Sequence, residues 1–287
     1  MKGVALGRRS DALLYIPEWD VSIVKASSSD AMVVRNTPPT SLGNYTVTDL
    51  RRWFGLVSVF VGDIIVGYAA GYSGDGVRVA LVDVDGFSPK AEYAYHIAST
   101  VNDVSSTHDY RSVATLKDNS PPYIGLAPKC GVRVYPVSTG GMAPVADFVY
   151  ALGMILKDMR SGVYRPHIIC IPMEAHGSTR DEIEVYVRAF TWFREQGIPV
   201  IVAYANMGIS DFAKVPATYP VASTDWSSQT CPRDKLYAPT NFATSEGVYT
   251  GTSASTVAMA GATAIIIERG ADPFTYLSSG GCNPLPV

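Results

Sequence analysis

Four residues have side chains suited to acyl chemistry, in the order Asp83, His108, Asn206, Ser253. Ser253 sits in Gly251-Thr252-Ser253-Ala254-Ser255-Thr256, ahead of the apolar run Val257 to Ile267. A serine on the first turn of a buried helix is mounted as a nucleophile, with backbone donors and the positive end of the helix dipole nearby. A serine there can equally serve as a plain helix N-cap. Asp83 ends the apolar stretch Val77–Val82, where a semi-buried carboxylate can hold an imidazole or simply form a turn. His108 follows Ser105-Ser106-Thr107, and His96, His167 and His176 compete with it. His167 begins a core strand and His176 lies in a loop after one. Asn206 stands just beyond Val202-Ala203-Tyr204-Ala205. Its amide could donate to a developing oxyanion, a contribution whose loss costs about 10²–10³ in turnover, or serve a turn with Gly208.

The elements that would position these residues follow from hydrophobic patterning. From Val77 onward, short apolar strands alternate with helical stretches, the pattern of an α/β chain whose parallel sheet is covered on both faces. The expected strands are Val77–Val82, Val132–Val137, His167–Ile171 and Pro199–Ala203. Helices are expected over about Val145 to Arg160, from a capping box of Ser178 and Asp181 to near Gly197, and from Ser253 to a left-handed cap at Gly270. A short helix is expected from His108 to Leu116. In such a sheet, function gathers at the carboxyl ends of the strands. Residues 1–50 read differently: Leu13–Ile16, Val21–Val24 and Ala31–Val34 look like short strands of an N-terminal extension or small lobe, with 51–287 as the main domain.

A chain of 287 residues can hold one large α/β domain. Charged residues make up 17% and the formal net charge is -3, without a block of Lys or Arg, so nucleic acid is not an expected partner. Seventeen tyrosines lean towards an extracellular surface, yet Met1 to Asp11 shows no signal-peptide pattern, so the location is open. Trp53 to Tyr72 is apolar enough to consider as a membrane span, but Asp63 near its middle costs about 2.5–3.5 kcal/mol on insertion scales, which favours a buried helix. Cys130, Cys170, Cys231 and Cys282 lack metal-ligand spacing; Cys170 reads as inert core, and pairing of Cys231 with Cys282 is left open. Oligomeric state is not legible.

The order of these residues, with the segments between them, resembles the subtilisin-like serine proteases. Gly71-Tyr72-Ser73-Gly74 followed by Val77 to Asp83 is similar to that family's first strand and catalytic Asp. Gly125-Leu126-Ala127-Pro128 resembles its Gly-Val-Ala-Pro segment. Tyr204-Ala205-Asn206-Met207-Gly208 resembles the Ala-Gly-Asn-x-Gly motif, and Ala238-Pro239 its Ala-Pro. Gly251-Thr252-Ser253 and the following helix match the nucleophile motif without a gap. The resemblance covers about residues 65–270 and implies a three-layer α/β fold and peptide-bond hydrolysis. Ser253 would be the nucleophile, His108 the base, Asp83 its orienting partner and Asn206 the oxyanion donor, as in the Asp…His…Ser order of subtilisin. It also implies peptide or protein substrates laid along Gly140 and Gly141, and along Ile171, Pro172, Met173 and Glu174, with Glu174 near the specificity pocket favouring a basic residue. No metal or cofactor is expected for the chemistry; structural calcium, which many members bind, has no site that the sequence locates.

The pattern is altered in places. The usual Asp-Ser/Thr-Gly is Asp83-Val84-Asp85-Gly86, which makes Asp85 an alternative third member. The His-Gly-Thr-His signature is His108-Asp109-Tyr110-Arg111, Ala205 replaces a glycine, and Val257 replaces a proline. These departures support an alternative in which the fold is kept, without activity, as a structural or binding module in an assembly. The hexapeptide from Gly251 also resembles the sedolisins, but those use Glu and Asp where His108 and Asn206 stand. Asp83-Val84-Asp85-Gly86 further resembles the Asp-x-Asp-Gly of haloacid-dehalogenase-type phosphatases. That chemistry needs Mg²⁺ and a later acidic pair, which nothing after Ser253 supplies.

Overall fold

A computed structural model describes residues 12–16, 21–24, 31–33, 72–84, 86, 88–96, 107–120, 123–137, 142–206, 208–223, 236–238, 240 and 242–278. In chain order the described strands are β1 (Ala12–Ile16), β2 (Val21–Val24), β3 (Ala31–Val33), β4 (Arg78–Asp83), β5 (Glu92–Tyr93), β6 (Asn119–Ser120), β7 (Tyr123–Ile124) and β8 (Gly131–Pro136). They continue with β9 (Met142–Pro144), β10 (Ile168–Ile171), β11 (Val200–Ala203), β12 (Thr218–Ser223), β13 (Leu236–Ala238), β14 (Phe242–Thr244) and β15 (Gly247–Tyr249). The helices are α1 (His108–Lys117), α2 (Val145–Ser161), α3 (Arg180–Glu195), α4 (Gly251–Glu268) and α5 (Pro273–Ser278).

Seven strands form one sheet in the order β13-β12-β11-β10-β4-β8-β5, and every neighbouring pair is parallel. Parallel pairing needs long crossovers, which the helices supply. Both faces of the sheet are therefore buried, and this explains the near-continuous apolar strands. In β4, Ala80 and Val82 enter one core with Phe148, Leu152 and Ile155 of α2 and Phe190 and Phe193 of α3. Val79 and Leu81 enter the opposite core with Val113 and Leu116 of α1 and Val257, Ala258 and Ile265 of α4. This is the expected three-layer α/β arrangement. From β4 the chain reaches β8 on one side and later β10 on the other, so the strand order reverses at β4, where open α/β sheets place their sites.

The strands and helices expected from Val77 onward are present with ends displaced by a residue or two. The capping box of α3 is built by Thr179 and Glu182 instead of Ser178 and Asp181: Glu182 N–H donates to Thr179 Oγ1 and Thr179 N–H to the Glu182 carboxylate. Ser178 is instead tied to Asp211, to which its N–H donates at 2.9 Å. Helix α4 opens at Gly251, ahead of Ser253, because extended Thr250 and left-handed Gly251 turn the chain into it. β1 and β2 pair antiparallel, and β3 pairs antiparallel with β9.

Asp85, Gly140, Gly141, Cys231, Cys282 and the stretch 53–71 lie outside the described residues. Among those described, no helix is long and apolar enough to cross a membrane. Nor do three or more His, Cys, Asp or Glu side chains converge as a metal site among them.

Candidate active site

Asp83 ends β4 and is fully buried, so its carboxylate must find partners inside the protein. Its Oδ1 lies 2.6 Å from Nδ1 of His108, the first residue of α1, and accepts the Val84 N–H at 2.7 Å. Oδ2 accepts the Ser112 hydroxyl at 2.7 Å. Ser112 follows His108 by one helical turn, the spacing that sets both side chains on the same face of α1. The imidazole is 12% exposed, so its ring is clamped from the core side and reached from outside. His108 Nε2 lies 3.3 Å from the hydroxyl of Tyr249, and the rings meet edge to face.

Of the competing histidines, His167 is occupied at the sheet's other end, where its Nδ1 accepts the Arg78 N–H at 3.0 Å. His96 stacks on Tyr93. His176 pairs through Nε2 with Glu174 Oε2 at 2.9 Å.

Asn206 meets the start of α4, the turn that also carries Ser253. The amide oxygen of Asn206 accepts the Thr252 N–H at 2.9 Å and also receives the Thr252 hydroxyl at 3.3 Å. These bonds place the amide on the helix opening, where the first N–H groups have no partner within the helix. Gly251 permits that contact: its φ is +79°, and a Cβ there would lie 2.7 Å from Asn206 Oδ1. Ser253 itself is 1% exposed in the same first turn.

Behind Asn206 stands a carboxylate that sequence reasoning assigned to substrate. Glu174 is fully buried. Its Oε1 accepts the Asn206 N–H at 2.5 Å and its Oε2 faces His176, so both oxygens are engaged within the protein. The peptide it holds is strained, because Ala205 has φ +144° where the resembling motif carries glycine. Ile171 and Met173 lie fully in the core with α2 and α3, and Pro172 is buried between them.

Asp109 has also folded inward. It is fully buried; Tyr93 OH donates to its Oδ2 at 2.5 Å, and Oδ1 has no hydrogen-bond partner among the described residues. The carboxyl group rests on Gly86, where a Cβ would stand 2.1 Å from either oxygen. Burial pushes its pKa up to about 7, and the nearby Asp83 charge adds to the effect. Ser112, Tyr249 and Tyr93 were missed by sequence reasoning. Only Ser112 left a signal, one turn beyond a histidine at a helix start.

No protein-family model matches the chain, and no curated protein matches it in sequence. Solved structures do resemble it. A cold adapted subtilisin-like serine proteinase matches with a TM-score of 0.60 at 16% identity, over 82% of this chain and 89% of that one. The epidermin leader peptide processing serine protease of Staphylococcus aureus matches with 0.57 at 16%, over 88% and 76%. The prenylagaramide maturation protease matches with 0.52 at 21%, over 70% and 81%. At such identities the likeness concerns architecture, and the architecture of this chain is the subtilisin-like fold.

Proposed function

We propose that this protein is a serine endopeptidase acting on peptide or protein substrates through Asp83, His108 and Ser253. The observation that carries the reading is the 2.6 Å Asp83–His108 contact at the strand-order reversal, on the same side of the sheet as the α4 opening that bears Ser253. Ser253 Oγ attacks the substrate carbonyl while His108 Nε2 takes its proton. Asp83 holds the Nδ1–H and the tautomer that this requires. The tetrahedral oxyanion is met by the Ser253 N–H and the Asn206 amide, whose oxygen is already committed to Thr252. The proton then passes to the leaving nitrogen, and water repeats the cycle on the acyl-enzyme. One fold neighbour is named for processing a leader peptide and another for maturing prenylagaramide, and the first agrees with a peptide substrate.

Glu174 does not act as a counter-ion for a basic substrate residue in this reading, because His176 and Asn206 already hold its oxygens. The test is labelling with a fluorophosphonate probe: the wild type labels at Ser253, and Ser253→Ala does not. Absence of Ser253-dependent labelling across pH and temperature would overturn the reading and leave the fold as a binding scaffold.

A further inference from the structure

Asp83, His108, Tyr249 and Ser112 close a ring of contacts. Asp83 Oδ1 meets His108 Nδ1 at 2.6 Å, and His108 Nε2 meets Tyr249 OH at 3.3 Å. Tyr249 OH meets Ser112 Oγ at 2.7 Å, and Ser112 Oγ meets Asp83 Oδ2 at 2.7 Å. Ser112 is fully buried and Tyr249 is 2% exposed, so the ring lies on the protein side of the imidazole.

The hydrogens in this ring can be counted. A hydroxyl has one hydrogen to donate. A carboxylate only accepts, so Ser112 spends its hydrogen on Asp83. The contact between the two hydroxyls is short, at the usual O–H···O distance. Its hydrogen must therefore come from Tyr249, which burial keeps protonated by raising its pKa far above the ordinary phenol value. The Tyr249 oxygen then presents lone pairs to His108 Nε2. Facing a neutral ring with its proton on Nδ1, that is an unproductive contact of two acceptors, and the longer 3.3 Å separation agrees with it. Facing a ring protonated on both nitrogens, it is a hydrogen bond to a cation.

We propose that Tyr249 is a further catalytic residue that accepts the Nε2–H of the His108 imidazolium, and that Ser112 is the positioning residue that orients both Asp83 and the Tyr249 hydroxyl. The inference rests on the proteolytic reading. In acylation the bond from Ser253 Oγ to the substrate carbonyl carbon forms while the Ser253 proton moves to Nε2. Tyr249 takes no proton; it shares the new N–H by hydrogen bond until that proton leaves on the departing nitrogen. A hydrogen bond to a charged group contributes more than a neutral one, so the contact favours the charge-separated state over the resting state, as catalysis requires.

Two readouts on the full chain test this. In the first, peptide hydrolysis and fluorophosphonate labelling are measured for wild type, Tyr249→Phe, Ser112→Ala and the double variant. Tyr249→Phe is expected to lower kcat about tenfold, corresponding to about 1.4 kcal/mol, with KM within about twofold. Ser112→Ala lowers kcat similarly, and the double variant is little worse than either single one, because both act through one chain. An unchanged or raised kcat in Tyr249→Phe, or fully additive losses, overturns the proposal. In the second, ring-¹⁵N-histidine NMR is recorded at acidic pH, with His108→Gln identifying the His108 signals. The Nε2–H proton is expected to move upfield in Tyr249→Phe while Nδ1–H stays, and Ser112→Ala to move both. An unmoved Nε2–H overturns the proposal. Because NMR needs no turnover, a wild type that fails to label Ser253 sinks the proteolytic reading while the spectra still decide the ring.

Discussion

Glu174 shows how far a residue's surroundings can redirect its chemistry. A carboxylate in the segment that lines substrate in the resembling family suggests a counter-ion for a basic side chain. Here its oxygens hold the Asn206 N–H and His176, beside the strained Ala205. Its work is to fix the peptide that carries the Asn206 amide, the oxyanion donor of the proposed mechanism. Glu174→Ala would leave a buried N–H without its acceptor, a loss of roughly 1–3 kcal/mol, and would release the strained peptide. Glu174→Gln keeps one acceptor oxygen and is expected to restore most of the stability. Chemical denaturation of the two variants checks the order. Peptides with Arg, Leu or Phe before the scissile bond are expected to show no preference for Arg that depends on Glu174. Such a preference would return the residue to the specificity pocket.

At the scale of elements, the start of α4 matters most. β15 delivers Tyr249 to His108, Thr250 is extended, Gly251 turns with φ +79°, and next come Thr252, which bonds Asn206, and Ser253, the proposed nucleophile. Gly251→Ala must strain the backbone and push a methyl group against Asn206 Oδ1, which would sit 2.7 Å away. The expected outcome is a lower melting temperature together with at least a tenfold loss of Ser253 labelling, since a displaced amide forfeits part of the oxyanion contribution. A variant that labels at the wild-type rate would show that the Asn206–Gly251 contact does not govern the site. Much of this element was legible in the sequence, because a glycine, two hydroxyl residues and a long apolar run fix the turn and the buried helix. Short apolar runs between helical stretches likewise placed β4, β8, β10 and β11 to within a residue or so. What patterning could not give is contact across the chain. The capping box shifted by one residue because Asp211 engages Ser178. The Tyr249–Ser112 and Tyr93–Asp109 pairs join elements distant in sequence, and no local propensity encodes them.

The whole molecule gathers residues separated by most of its length onto one end of a parallel sheet, and it encloses carboxylates there. Asp109 has its pKa pushed up to about 7 by burial, and Asp147 up to about 6 for the same reason. In the unfolded chain both ionise at ordinary carboxylate values near 4. The native state therefore binds protons more tightly than the unfolded state between about pH 4 and pH 7, and these two groups make stability fall as pH rises across that window. Asp211 works the other way: the Lys214 ammonium and the Ser178 N–H hold its pKa below the usual value despite burial, so its contribution is present at neutral pH and lost in acid. For Asp109 alone the penalty at neutral pH is roughly 4 kcal/mol at most. Asp109→Asn keeps an acceptor for the Tyr93 hydroxyl and removes the ionisation. Below about pH 4 the carboxyl is protonated in both states, and the variant is expected to match the wild type closely. Its melting temperature should then gain steadily on the wild type up to about pH 7 and stay ahead above it. Melting curves of both proteins from pH 4 to pH 8 check this, and a difference that does not change with pH would show that the buried Asp109 carboxyl does not contribute to the pH dependence of the fold.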